Sequence, residues 1–334
     1  MQDIYIIGGS NSLLAGGWAS NLRATRSDRF RITNLSIGAA TTLIGIYRIL
    51  CDEVPDGATV VWEYALNESN HRNAGQSLQS LMRHFGWFME LAHHRKLHVL
   101  PVVIWTRPEH VKLTRNDYRA AVMEKIDGLG LNCIDAWNPM IAFAKDRQVP
   151  VPDLYLDDMH YAPQGGFPAI LAELIADAIS SAKIPNAQPE FSGKSLRLCA
   201  PAGPVSETFK NSLFSAEVHH LTAPLHVEGR GHLLASYVIA ANDAGALTVS
   251  IGDKIHGAYS LQGAPGYKDP GRLLKHLVHW QTFDDIGFVD GNLMLTGGEP
   301  EGRPKVQNMF SWRGPLKDGL RQDGYICSLL EEQG

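Results

Sequence analysis

The sequence predicts an α/β domain built on a parallel sheet, followed by a smaller all-β domain. Up to about residue 183, short apolar runs alternate with longer amphipathic stretches, the pattern of successive βαβ units. Beyond residue 190 the helical periodicity fades into short β-prone segments set between Gly, Asn, Asp and Pro turns.

The first strand is expected over Asp3 to Ile7, and four more over Phe30 to Leu35, Ala58 to Tyr64, Leu97 to Trp105 and Leu131 to Ala136. Helical periodicity fills Ser77 to Arg95 and Asn116 to Gly128. A last helix is expected over Pro163 to Ala182, with Phe167, Ile170, Leu171, Leu174, Ile175 and Ile179 at helical spacing for packing on the sheet. Parallel strands joined by helices imply helices on both faces of the sheet.

Lys183 to Pro189 carries two prolines and little that can pack, so it reads as a linker between domains 1–184 and 190–334. In the second domain, strands are expected at Leu225 to Val227, Leu233 to Ala240, Ala246 to Ile251, Lys275 to Phe283, Phe288 to Leu295 and Tyr325 to Leu330. Turns such as Asn242-Asp243-Ala244-Gly245 separate them, which suggests a sandwich or jelly roll. Its aromatic residues, including Tyr237, Tyr259, Trp280 and Trp312, suit either a core or a sugar-stacking face. The domain therefore has three open roles: binding carbohydrate, covering the site or forming a subunit interface.

At 334 residues, 44% hydrophobic and 19% charged, the chain has the composition of an ordinary globular protein. Its formal net charge of −5, with no basic block, gives no electrostatic footprint for nucleic acid or an anionic membrane. No apolar run is long enough to span a bilayer. With the first strand beginning at Gln2 or Asp3 there is no room for a signal peptide ahead of it, so a cytoplasmic location is expected. Cys51, Cys133, Cys199 and Cys327 are scattered without C-x-x-C spacing and read as buried thiols. The adjacent pairs His93-His94 and His219-His220 point to different faces and make poor metal sites, so no metal is expected. Neither G-x-G-x-x-G nor a P-loop occurs, so no cofactor is expected.

Chemistry concentrates where strands end. Ile4 to Ile7 breaks at Gly8-Gly9 and reaches Ser10, placing a hydroxyl at the carboxyl edge of the sheet, where ligands bind in open α/β folds. A βα turn with Ser10 as a helix N-cap accounts for the same residues. After the second strand comes Gly38, able to bring a backbone N–H close to a ligand or merely to turn the chain. Asn67 follows the third strand as an amide donor or a helix cap. Before the last helix, Asp157-Asp158-Met159-His160 supplies a carboxylate three residues ahead of an imidazole, with Asp158 competing for the same role. Hydroxyl, imidazole, carboxylate and oxyanion donors are the parts of a nucleophilic hydrolase.

This ordered set resembles the SGNH, or GDSL-type, hydrolase family over roughly residues 1 to 183. The family's Gly-Asp-Ser-x-Ser block stands here as Gly8-Gly9-Ser10-Asn11-Ser12, with glycine in place of the aspartate. Its Gly-x-Asn-Asp block is Ala65-Leu66-Asn67-Glu68, keeping the asparagine, and its Asp-x-x-His block is Asp157 to His160. The resemblance implies a flavodoxin-like three-layer α/β/α sandwich.

It also implies Ser10 as nucleophile, His160 as base, Asp157 as its orienting carboxylate, and an oxyanion hole of the Ser10 and Gly38 N–H groups with the Asn67 side chain. A helix dipole at Ser10 would add to this. Glu63, a charge inside an apolar strand, and His71 suit either a pocket lining or a solvated or paired structural role, and Arg107, at the end of the fourth strand, is a candidate substrate contact. The expected activity is hydrolysis of an acyl, foremost acetyl, ester of a carbohydrate or small metabolite. O-acyl transfer by the same residues, or an inactive carbohydrate-binding or assembly module on this scaffold, are the alternatives.

Overall fold

A computed structural model describes residues 1–113, 115–241, 244–262, 273–278, 287–298 and 324–333. The chain forms two compact units, Met1–Glu190 and Phe191–Gly334.

The first unit is built on five parallel strands, β1 (Gln2–Gly8), β2 (Phe30–Asn34), β3 (Thr59–Glu63), β4 (His98–Val103) and β5 (Ile134–Asp135). Their order is β2-β1-β3-β4-β5, the flavodoxin-like arrangement, in which the chain reverses direction across the sheet between β1 and β3. β3 is buried along its whole length, as a central strand covered on both faces must be. The expected six-residue run at Leu131 to Ala136 shortens to a two-residue strand, because β5 lies at the sheet edge and pairs only with β4.

Among the described residues eight α-helices accompany these strands: α1 (Trp18–Thr25), α2 (Thr42–Leu50), α3 (Ala65–Asn73), α4 (Leu78–His94), α5 (Arg107–Lys112), α6 (Asp117–Gly128), α7 (Trp137–Arg147) and α8 (Phe167–Ala178). α1 packs with α8, whereas α2 packs with α4 and α4 with α6. A right-handed crossover from β1 to β2 and another from β2 back to β3 run in opposite directions and so place α1 and α2 on opposite faces. α4 starts at Ser77, whose hydroxyl accepts the Ser80 N–H at 3.1 Å. The expected helix from Pro163 to Ala182 is α8 flanked by single 3-10 turns, broken at Gly166, where φ is +80°. Phe167, Leu171 and Ile175 are buried as the stripe requires, while Ile170 is exposed.

Lys183 to Pro189 is not a free linker. Lys183 bridges Val99, the Pro185 carbonyl bonds His93 Nδ1 at 2.9 Å, and the Glu90 carboxylate accepts the Gln188 N–H. Each of these partners belongs to the first unit, so its backbone groups are satisfied there.

The second unit is an antiparallel all-β sheet formed by β6 (Lys194–Cys199), β9 (Leu225–Ala240), β10 (Ala246–Ile251), β11 (Lys254–Ser260), β12 (Leu273–Val278), β13 (Phe288–Gly298) and β14 (Tyr325–Gln333). β7 (Glu207–Lys210) and β8 (Ser215–Val218) make a separate hairpin. The two strands expected within Leu225 to Ala240 are one 16-residue strand. Its first half pairs with β13, its second half with β12, and β14 runs along its other edge from His232 to Val238. Tyr237 and Tyr259 are buried and belong to the core. Trp280, Trp312, the Asn242-Asp243 turn and the end of the strand expected at Lys275 to Phe283 lie outside the described residues.

Among the described residues no helix is long and apolar enough to cross a membrane, and no cluster of His, Cys, Asp and Glu is arranged to hold a metal. All four cysteines are free. Cys199 and Cys327 are buried, Cys133 is half-buried, and Cys51, contrary to the expectation of a buried thiol, is exposed.

Candidate active site

β1 delivers the chain to the sheet edge at Gly8, and a single 3-10 turn, Ser10–Ser12, follows. Polar groups from both neighbouring strands hold this turn. The Gly8 N–H donates to Ser36 Oγ at 3.0 Å, and Asn34 Nδ2 donates to the Ser12 carbonyl at 2.6 Å. From β3, Glu63 Oε2 accepts the Gly9 N–H at 3.2 Å and the Ser12 hydroxyl at 2.7 Å. The glycines are sterically required. A Cβ on Gly8 would lie 2.6 Å from Ser12 Oγ, and one on Gly9 would lie 2.2 Å from Asn67 Oδ1. In this chain the Asn67 carboxamide occupies the space that any side chain at position 9 would need.

Ser10 does not cap the turn, and no long helix starts there. α1 begins only at Trp18, so the helix-dipole assistance expected at Ser10 is missing. The Ser10 hydroxyl is bonded to another partner: Oγ lies 2.7 Å from His160 Nε2. The opposite ring nitrogen, Nδ1, lies 2.8 and 3.0 Å from the two oxygens of Asp157. Asp157 Oδ1 also accepts the N–H groups of Met159 (2.7 Å) and His160 (2.9 Å), a local turn that fixes the carboxylate under the ring. Partial burial pushes the Asp157 carboxyl up, but the His160 ring and these two N–H donors outweigh it and hold it below its ordinary value. Asp158 points elsewhere: its carboxylate pairs with Arg107 Nε at 2.9 Å.

Asn11 joins the two halves of this arrangement. Its side chain bonds the Met159 carbonyl and the Tyr161 N–H, one residue to either side of His160.

Gly38 sits over the nucleophile turn, where a Cβ would meet Ser10 Cβ at 3.5 Å. Its loop is anchored by the Ile37 N–H, which donates to the Gly8 carbonyl at 3.1 Å, and by the Glu68 carboxylate, which accepts the Thr42 N–H at 2.8 Å. Ala39 adopts a left-handed φ of 51°, and His71 Nε2 lies 3.5 Å from its carbonyl oxygen. Asn67 is neither a loop residue nor a cap: it is the third residue of α3, with its backbone inside the first turn. Ser10, Gly38, Asn67 and His160 thus meet at one edge of the sheet, on loops following β1 and β2, the start of α3 and the segment before α8.

The three candidate substrate contacts are placed differently. Glu63 is fully buried, so it holds the turn from beneath instead of facing a ligand, and burial pushes its carboxyl up to about 7. His71 is also buried, and burial pushes it down to about 4, which leaves a neutral imidazole supporting the Gly38 loop. Arg107 is partly exposed, but its guanidinium is engaged by Asp158. Sequence reasoning missed Asn11, for which the sequence gives no cue beyond adjacency to Ser10. Glu63 was visible as a charge in an apolar strand, a signal that some partner must be buried with it.

No protein-family model matches the sequence, and no curated protein matches it. A solved structure of a two-domain esterase active on acetylated mannans, co-crystallised with mannopentaose, is similar to the whole chain: TM-score 0.60, 11% identity, covering 100% of this chain and 91% of the other. This chain shares the fold of that protein. A second structure of a two-domain esterase active on acetylated mannans gives TM-score 0.56 at 11% identity, covering 100% of this chain and 92% of that one. A lipolytic protein of the G-D-S-L family from Veillonella parvula gives TM-score 0.44 at 14% identity, covering 54% of this chain and 99% of its own. The likeness to the two esterase structures covers the β unit as well as the sheet that carries Ser10.

Proposed function

We propose that the protein is a serine esterase that removes an acyl group, foremost acetyl, from a hydroxyl of a carbohydrate. The observation that carries this reading is the 2.7 Å approach of Ser10 Oγ to His160 Nε2, with Asp157 on the other ring nitrogen. In this reading His160 keeps its proton on Nδ1, against Asp157, and takes the Ser10 proton on Nε2 as Oγ attacks the ester carbonyl. The oxyanion is held by the Ser10 and Gly38 N–H groups and the Asn67 amide, each donor typically worth ~100 to 1,000-fold in rate. His160 then protonates the departing alcohol, and water, activated by the same imidazole, releases the acyl group from Ser10. The choice of an acetylated carbohydrate is supported by the fold it shares with an esterase active on acetylated mannans.

Turnover of a chromogenic acetyl ester by wild type and Ser10→Ala tests the chemistry, together with labelling by a serine-directed fluorophosphonate. Wild type is expected to turn over and to be labelled, and Ser10→Ala to do neither. Equal turnover by both proteins overturns the proposal, and a folded wild type that is not labelled points to a binding module instead. Adding a sugar acceptor separates hydrolysis from transfer, since a transferase forms a new acylated product faster than free acid.

A further inference from the structure

A cavity of about 240 Å³ opens beside Met159, the residue before His160. Ser69, Asn70 and Asn73 of α3, Arg115 and Asn116 from the segment ahead of α6, and Met159 form part of its lining, which the start of α5 completes with Thr106, Pro108 and Glu109. Asn70 follows Asn67 by three residues and so lies one helical turn along the same side of α3, with its Nδ2 3.2 Å from Met159 Sδ. Across the sheet edge the order is therefore Gly38 after β2, Ser10 after β1, Asn67 after β3, and then this cavity on the β4 side.

That order separates the two halves of an ester. The carbonyl oxygen must lie among Ser10, Gly38 and Asn67, and the departing oxygen must lie within reach of His160, which returns the proton to it. The alcohol half therefore leaves on the His160 side, where the neighbouring Met159 borders this cavity.

Its lining selects the kind of alcohol. Asn116 Nδ2 donates to the Ser69 carbonyl at 2.8 Å, Ser69 Oγ at 3.0 Å and Asn73 Oδ1 at 2.9 Å, which fixes the wall while leaving the Asn73 N–H donors for a ligand. The Arg115 guanidinium lies 4.3 Å from the centre of the Trp105 ring and 4.1 Å from that of Trp137, and has no ion pair among the described residues. It is therefore held by aromatic faces with its hydrogen-bonding edge uncommitted. An apolar alcohol would strip water from these amides and this cation without replacing its hydrogen bonds, whereas a polyhydroxylated ring replaces them.

We propose that this cavity is the subsite for the alcohol half of the ester, and that it takes a sugar ring through Asn70, Asn73 and Arg115. The proposal rests on the esterase reading. It is tested by comparing kcat/KM for an O-acetylated methyl hexoside with kcat/KM for phenyl acetate, whose alcohol carries no further hydroxyl, in wild type, Asn73→Leu and Arg115→Met. Both substituted side chains are exposed, and Met keeps an apolar stem against the tryptophans. The sugar-to-phenyl ratio is expected to fall about tenfold in each variant, the loss of one or two hydrogen bonds. A ratio within about twofold of wild type in both variants overturns the subsite while leaving the esterase reading standing. A wild type that hydrolyses neither ester overturns the esterase reading and the subsite with it.

Discussion

The carboxamide of Asn11 brackets His160. Its Nδ2 donates to the Met159 carbonyl at 2.8 Å, and its Oδ1 accepts the Tyr161 N–H at 3.2 Å. The residue after Ser10 thereby grips the backbone on both sides of the imidazole, 148 and 150 positions along the chain, independently of the Ser10 to His160 hydrogen bond. Asn11→Ala is expected to lower kcat by roughly 10 to 100-fold, because a small displacement of the reacting groups is enough to do so. KM should change far less, since no substrate contact is removed. Two partly buried backbone groups also lose their partner, at a cost of about 1–3 kcal/mol in stability. Steady-state kinetics with a denaturation curve check this, and an unchanged kcat would count against the bracket.

Gly9 stands where the Gly-Asp-Ser block of the resembled family carries aspartate, and placing aspartate there is expected to lower the proposed activity. A Cβ at position 9 falls 2.2 Å from Asn67 Oδ1, so Gly9→Asp must displace the amide proposed as an oxyanion donor. Turnover should fall by ~100-fold or more, the effect of losing one such donor. Gly38→Ala provides the contrast in folding, because its new methyl meets Ser10 Cβ at 3.5 Å, an ordinary contact. Melting temperatures of the two variants distinguish them: Gly9→Asp should melt well below wild type, and Gly38→Ala close to it.

Glu68 makes stability depend on pH in a direction opposite to a paired surface carboxylate. Burial pushes it up to about 7 from an ordinary 4.5, although the Tyr118 hydroxyl and Thr42 N–H oppose the shift. Between those pH values the folded chain holds a proton that the unfolded chain has lost, so the Glu68 contribution falls as pH rises through the window. Buried His71 and His84, pushed down to about 4 and about 3, contribute with the reverse slope, so the whole-protein curve is a sum. The difference between wild type and Glu68→Gln isolates the one group. From pH 4.5 to 7 the variant should gain on wild type, by at most about 3 kcal/mol, and the gain should level off above pH 7. A difference independent of pH would show that Glu68 titrates normally.

Residues at strand ends were legible because an apolar run that stops at a glycine or a polar group fixes its own position at the sheet edge. Ser10, Gly38 and Asn67 were singled out that way, and His160 by its spacing from Asp157 ahead of the last helix. Glu63 was not placed, because its role depends on sheet order: only with β3 beside β1 does Glu63 come into register with Gly8. In the β unit, Glu228-Gly229-Arg230-Gly231 looks like a turn, yet pairing with β13 runs straight through it and makes one strand of two. Partners far apart in sequence carry no local periodicity, and those are the features that sequence reading left out.

The adjacent carboxylates Asp157 and Asp158 compete for one role on sequence, with Asp157 favoured by its spacing to His160, and they are not equivalent in space. Asp157 touches the His160 ring and Asp158 touches Arg107. Asp157→Asn retains an oxygen able to accept the Met159 and His160 N–H groups, so the turn should survive while the charge opposite Nδ1 is lost. Without that charge the imidazole no longer favours the tautomer that leaves Nε2 free to accept the Ser10 proton, and kcat should fall by up to about 10⁴-fold. Asp158→Asn breaks an exposed ion pair worth about 1 kcal/mol or less and should leave kcat within about threefold of wild type. Rate measurements on the two isosteric variants decide the assignment: comparable losses in both, or a larger loss for Asp158→Asn, would mean that Asp157 is not the carboxylate that orients the base.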